Sequence, residues 1–188
     1  IKDKKKNRNN IDLLYNIEHL EKPMRFKNLT VIYEIDSKNI IVKQENTRAI
    51  YLYKIANKFK LNHTYNLTIN KIERFNGLLE VMDISNIKEV SKNNVKVKDQ
   101  FIDGTKIDIF NPKYQNEIVK NLTGIYKKRY LHFLQDGIKM KIRLYSKNKN
   151  ILPKENEKIT INSGHISIYK STIQVVLYKK SDYIYSLY

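Results

Sequence analysis

The densest chemistry in this sequence is a seven-residue alternation, Lys139-Met140-Lys141-Ile142-Arg143-Leu144-Tyr145. In an extended strand, Met140, Ile142 and Leu144 point to one side, while Lys139, Lys141, Arg143 and Tyr145 point to the other. Three cations and a ring on one face suit a polyanion, because cations neutralise phosphates and an aromatic plane stacks a base. A thinner version lies earlier in the chain. There Ile50 and Leu52 are expected to face inward, leaving Ala49, Tyr51 and Tyr53 outward beside Lys43 of the neighbouring strand. A second account stays open for both faces: Tyr and Lys favour exposed β positions, and Lys stems cover apolar surface.

No comparable pattern supports catalysis. The histidines His19, His63, His132 and His165 are far apart and form no HxxxH or HExxH arrangement, so they read as ordinary surface or core-edge residues. Asp99, Asp103 and Asp108 lack the glycine and alternating oxygen ligands of a calcium loop. Glu155 and Glu157 fall in a predicted turn. There is no cysteine, which removes disulfides, thiolate nucleophiles and cysteine-based zinc sites together. The expectation is a non-enzyme with no metal and no cofactor.

The net charge of +17 arises from 36 Lys and Arg against 19 Asp and Glu. Such a balance favours nucleic acid, anionic lipid or acidic glycan as partner. Its origin has two readings. In one, base composition sets part of the charge, since thirty of the cations are Lys, and Lys, Ile and Asn, all encoded by A/T-rich codons, dominate the chain; in the other it serves a partner. Attraction to polyanions follows in either case. No run reaches the roughly 18 apolar residues of a membrane-spanning helix. Residues 1–10 read as a flexible basic arm. The first residue is Ile, and two origins fit: a missing lipidated signal segment, with the arm as envelope tether, or an engineered truncation. The first places the protein outside the cytoplasm.

The elements that must hold these faces are organised by an internal repeat. Lys27-Asn28-Leu29-Thr30-Val31-Ile32-Tyr33 recurs as Lys120-Asn121-Leu122-Thr123-Gly124-Ile125-Tyr126. Ile50-Tyr51-Leu52-Tyr53 matches Ile142-Arg143-Leu144-Tyr145, Leu67-Thr68-Ile69-Asn70 matches Ile159-Thr160-Ile161-Asn162, and Leu79-Glu80-Val81 matches Ile173-Gln174-Val175. Within each copy the apolar period is two. Copy one predicts strands over 29–35, 39–44, 48–54, 65–73 and 78–84, with Asn76-Gly77 as a type I′ hairpin turn. Copy two predicts strands over 119–127, 130–134, 138–145, 157–162, 166–169 and 172–178, with turns at Gln135-Asp136-Gly137 and Lys170-Ser171. Helical spacing of Ile11, Leu14, Tyr15, Ile17 and Leu20 predicts a short amphipathic helix on a barrel mouth. Another short helix is allowed between 53 and 61, and Lys106 to Phe110 alternates as an added strand of the second copy.

Three strands, a longer connection and a terminal hairpin in 60–70 residues is the plan of the OB barrel. The fold class is therefore all-β with minor helix, as two tandem OB-type five-stranded barrels. The domains are 11–92, with the helix, and 93–188, with the linker strand.

Asn39-Ile40-Ile41-Val42-Lys43, Ala49-Ile50-Tyr51-Leu52-Tyr53, Asn66-Leu67-Thr68-Ile69 and Phe75-Asn76-Gly77-Leu78-Leu79-Glu80-Val81 together resemble the OB-fold modules appended to secreted bacterial nucleases. The resemblance covers most of copy one and, more loosely, copy two. It implies nucleic-acid binding through the face of strands two and three, without a nuclease domain in this chain. The modules' usual glycines before strand four are replaced here by Leu61-Asn62-His63-Thr64 and Pro153-Lys154-Glu155-Asn156. Two functions follow as expectations: a non-catalytic module binding single-stranded DNA, RNA or another polyanion, or an envelope or surface lipoprotein whose barrels contact protein or glycan.

Overall fold

The computed structural model describes residues 9–45, 47–55, 58–92 and 96–187, with residue 92 as backbone only. Most of the basic arm lies outside the described residues. The chain divides into two compact units, Ile1–Arg74 with Leu79–Lys96, and Phe75–Leu78 with Val97–Tyr188.

The first unit is a closed five-stranded barrel of Met24–Glu34 (β1), Ile40–Gln44 (β2), Ala49–Leu52 (β3), His63–Phe75 (β4) and Leu78–Lys92 (β5), in the order β1-β2-β3-β5-β4. β1 pairs antiparallel with both β2 and β4, which closes the circuit, and β3 runs parallel to β5. Leu29, Val31, Val42, Ile50, Leu52, Leu67, Leu79 and Val81 fill the interior. The expected helix is a single turn, Asp12–Tyr15 (α1), with Ile11 and Leu14 fully buried in the same core. The Arg74 guanidinium stops it there, donating to the carbonyls of Ile17 at 2.7 Å and Tyr15 at 3.1 Å. No helix occurs among the described residues of 53–61.

The second unit contains Ile102–Asp103 (β6), Ile118–Lys120 (β7), Leu122–Lys127 (β8), Tyr130–Gln135 (β9), Ile138–Tyr145 (β10), Lys158–Ile161 (β11), Gly164–Tyr169 (β12), Thr172–Val176 (β13) and Tyr183–Tyr185 (β14). They form one sheet in the order β14-β11-β8-β9-β10-β13-β12-β7-β6. This is the first unit's circuit with two of its strands broken. β7 and β8 are the halves of one strand, interrupted at Asn121 with φ of 62°. β11 and β12 are the halves of another, and β8 pairs with β11 while β7 pairs with β12. In the first barrel β1 shifts register against β4 between Phe26 and Leu29, where Asn28 has φ of 60°. The repeated Lys-Asn-Leu thus encodes one bulge twice, using Asn because it tolerates the left-handed region. Seven of the thirteen non-glycine residues with positive φ among the described residues are Asn, so asparagine richness has a structural use here.

Pairing also corrects part of the repeat. Leu29 faces Tyr65 and Thr30 faces Thr64, whereas Leu122 faces Ile161 and Thr123 faces Thr160. The counterpart of Thr160 is therefore Thr64, four residues before the Thr68 that sequence alignment selects. An even slip leaves every side chain on its own face, so alternation alone cannot detect it. The other matches hold: Tyr51 and Leu52 pair with Glu80 and Val81 as Arg143 and Leu144 pair with Gln174 and Val175.

Lys106 to Phe110 is not a strand. Asp103 and Asp108 accept hydrogen bonds from the backbone N–H groups of Thr105 at 2.9 Å and Phe110 at 3.1 Å, turns that curl the chain. The alternation is satisfied by packing: Ile109 is buried and Ile107 and Phe110 are half-buried against the second core. The linker's strand pairing falls instead to β6, parallel to β7. The predicted turns at Asn76-Gly77, Asp136-Gly137 and Lys170-Ser171 all have positive φ at both residues, as type I′ hairpins require.

Candidate nucleic-acid interface

β10 alternates as its sequence demands. Ile142 and Leu144 are 1% exposed and join the core, with Met140 packed beside them. Lys139, Lys141 and Tyr145 are exposed on the outer face and Arg143 is half-buried there. The rows across the sheet extend this face beyond one strand. Lys139 stands opposite Leu134, Lys141 opposite His132, and Arg143 opposite Tyr130. One strand further, Ile125 faces His132 and Lys127 faces Tyr130, and Lys158 then faces Ile125.

Two continuous rows result: Lys158–Ile125–His132–Lys141 over β11, β8, β9 and β10, and Lys127–Tyr130–Arg143 over β8, β9 and β10. At roughly 4.8 Å between strands, the longer row spans about 15 Å. No Asp or Glu stands in either row, and among the described residues none of their four cations, nor Lys139 beside them, has a carboxylate partner. Rings and cations also meet between the rows and along β10: Lys141 Nζ lies 4.8 Å from the Tyr130 ring centre and the Arg143 guanidinium 6.0 Å from that of Tyr145. The Arg143 Nε is buried, with no hydrogen-bond partner among the described residues. Ile125, Leu134 and Tyr145 add 47%, 69% and 40% exposed apolar or aromatic surface.

The corresponding face of the first barrel is different. Ala49 is fully buried and Tyr51 only 9% exposed, although neither belongs to the interior core. Tyr51 is held by Asn39 Oδ1 at 3.3 Å and meets the Tyr53 ring edge-on at 5.9 Å. Burial, aided by the charge of Glu80, raises the Tyr51 phenol well above its ordinary range. Glu80, opposite Tyr51, is itself buried, and this, with the charge of Glu73, raises its carboxyl to about 7. Lys43 and Tyr53 are half-buried, and the Lys54 ammonium sits over the Tyr53 ring. Lys43, Tyr51 and Tyr53 therefore present little open surface, whereas Lys139, Lys141 and Tyr145 present much.

Sequence reading omits Lys127, Tyr130, His132, Ile125 and Lys158. Their alternation within β8, β9 and β11 is legible, but which of them lie in one row depends on register. His165 is no surface residue. It is fully buried, its Nε2 donating to Asn116 Oδ1 at 2.9 Å and its Nδ1 accepting from the Tyr178 hydroxyl at 2.7 Å. Burial lowers it to about 3 and keeps the ring neutral. No group of three or more potential metal ligands occurs among the described residues, and none of their helices is long and apolar enough to cross a membrane.

No family model and no curated protein matches the chain. Solved structures similar to it include a murine DNA-binding protein bound to double-stranded DNA, at 16% identity over 88% of this chain and 97% of that one, with a TM-score of 0.43. The p204 HINb domain is 15% identical over 85% and 94%, with a TM-score of 0.41. The Ifi202 HINa domain in complex with 20-bp double-stranded DNA is 15% identical over 89% and 97%, with a TM-score of 0.35. Likenesses at these scores assign neither a family nor a ligand to this chain.

Proposed function

We propose that the chain is a non-catalytic module that binds single-stranded nucleic acid on the outer face of its second barrel, with residues 11–92 and 93–188 as its two domains. One observation carries this reading: the two rows of cations, rings and apolar side chains that cross β8–β11 without a carboxylate. Cations at the ends of the rows meet phosphates, while Tyr130, His132, Ile125 and Tyr145 offer planes and apolar surface for unstacked bases. A duplex keeps the faces of its bases stacked and presents only their edges in the grooves, so a flat face of rings and cations meets chiefly its phosphates. The resemblance of copy one to nuclease-appended modules points to the same class of ligand. Exposed Ile125 and Leu134 also suit a second reading, in which the face contacts an acidic protein partner.

The test is anisotropy of a labelled oligo-dT against salt, with a duplex for comparison. Binding is expected at about 50 mM salt, with a log–log slope of about −2 to −3.5 for three to five phosphates neutralised. The single strand is expected to bind more tightly than the duplex. Absence of binding at that salt contradicts the proposal.

A further inference from the structure

The row that holds Arg143 does not end at β10. Arg143 stands beside Gln174 of β13, and Gln174 beside Ser167 of β12, so the row reads Lys127–Tyr130–Arg143–Gln174–Ser167 over five strands. Val175 and Ile166 belong to the core, which turns Gln174 and Ser167 to the outer face. Both are nevertheless buried, at 7% and 6% exposure. This end of the row is covered and neutral.

The first barrel places a carboxyl at the same point. Glu80 stands beside Tyr51 as Gln174 stands beside Arg143, and it is 6% exposed. Core residues flank each of them in sequence, Leu79 and Val81 in one strand and Ile173 and Val175 in the other. Glu and Gln have the same length and shape, so two equally buried positions differ here in charge and not in packing.

That difference falls next to the most enclosed cation of the face. Of the four cations in the two rows, Lys127, Lys141 and Lys158 are exposed, whereas Arg143 is half-buried. A carboxylate at position 174, on a strand roughly 4.8 Å away, would attract the guanidinium where solvent screens poorly. Paired in this way, Arg143 offers little net charge to a phosphate. A neutral amide leaves that charge uncancelled.

We infer that Gln174 determines the selectivity of the second barrel for polyanions: its neutrality keeps Arg143 available to a phosphate, and a carboxylate in its place turns the face away from nucleic acid. This rests on the nucleic-acid reading of the face. Gln174 acts through Arg143 and need not touch the strand itself. Binding and stability then oppose each other, because a carboxylate at 174 would also give the buried Arg143 Nε an acceptor.

The experiment measures oligo-dT binding against salt at pH 8, with urea unfolding, for the wild type, Gln174→Glu, Gln174→Met, Arg143→Gln and the double variant Arg143→Gln with Gln174→Glu. That pH lies above the value of about 7 for the Glu80 carboxyl, whose presence in the first barrel shows that the fold accommodates an acid here. Gln174→Glu is expected to bind about five- to tenfold more weakly at about 50 mM salt and to flatten the log–log slope by about 0.7, the share of one phosphate on a single strand. Its urea midpoint is expected to be no lower than that of the wild type. Gln174→Met, which adds no charge, is expected to bind within about threefold of the wild type. On the Arg143→Gln background, adding Gln174→Glu is expected to weaken binding by less than about threefold, since the charge it cancels is already absent.

If the wild type binds and Gln174→Glu binds as tightly with the same slope, the role of Gln174 is overturned and the face stands. Equal losses in Gln174→Met and Gln174→Glu, or an undiminished loss on the Arg143→Gln background, overturn it in the same way. If the wild type does not bind, the face reading fails and this inference fails with it. Should Gln174→Glu not fold, Gln174→Met decides: binding like the wild type supports a role for neutrality alone, and its loss overturns that role.

Discussion

The two barrels share their interiors and differ on their outsides. Ile50 and Leu52 in the first occupy the places of Ile142 and Leu144 in the second, and all four are buried in their cores. Equivalent outward positions hold Ala49 and Tyr51 in one and Lys141 and Arg143 in the other. The first pair is buried and the second carries two charges. The inward residues and the Asn28 and Asn121 bulges specify the barrel; the outward residues are free to acquire a ligand. In the first barrel that freedom went to burying Tyr51 and Glu80, and in the second to a cationic surface.

The sharpest way to break this contrast is charge reversal. Lys139→Glu with Lys141→Glu is expected to weaken oligo-dT binding by about 30-fold or more at 50 mM salt, since two cationic contacts become repulsive. Lys43→Glu in the first barrel is expected to change it by less than about threefold. Equal losses would erase the distinction between the barrels.

Stability should separate them by pH. The Glu80 carboxyl titrates near 7 in the folded barrel against 4.5 ordinarily, so the native state holds the extra proton between those values. The first barrel therefore loses stability as pH rises through that window. His165 behaves in the opposite sense: at about 3 against 6.5, the unfolded chain takes up the proton first, and the second barrel loses stability as pH falls below 6.5. Between pH 4 and 8 each effect is expected to reach about 2–4 kcal/mol. Amide exchange resolved by barrel from pH 4 to 8 measures both, and Glu80→Gln and His165→Gln should flatten the respective profiles.

The smallest effect concerns the equivalent threonine pairs. Thr30 and Thr64 share a 2.8 Å hydrogen bond in a buried setting, while Thr123 and Thr160 share one of 2.7 Å nearer solvent. Urea unfolding should show Thr30→Val costing about 1–2 kcal/mol and Thr123→Val under about 0.5, because water replaces only the exposed partner.

Much of the fold was legible because alternation and turn chemistry are local. Asn76-Gly77 and Asp136-Gly137 fixed hairpins, and Lys27 to Tyr33 matched a second strand with the same bulge. What failed was non-local or depended on competing local bonds. A four-residue slip of strand four keeps all faces unchanged, and Asp103 and Asp108 bent a stretch whose apolar pattern read as extended. The site was half legible for the same reason. Lys139 to Tyr145 declares its face within one strand, but Tyr130 and His132 become its neighbours only through pairing. Tyr51 was readable as outward but not as covered, since burial of an outer face depends on what packs there.

The most direct test of the central claim is chemical-shift mapping of the isotope-labelled chain with oligo-dT. The account predicts that the amides of Tyr130, His132, Lys141 and Arg143 shift together in a saturable way, while those of Ile41, Ala49 and Tyr51 do not. Shifts concentrated on the first barrel, or none on β9 and β10, would contradict it.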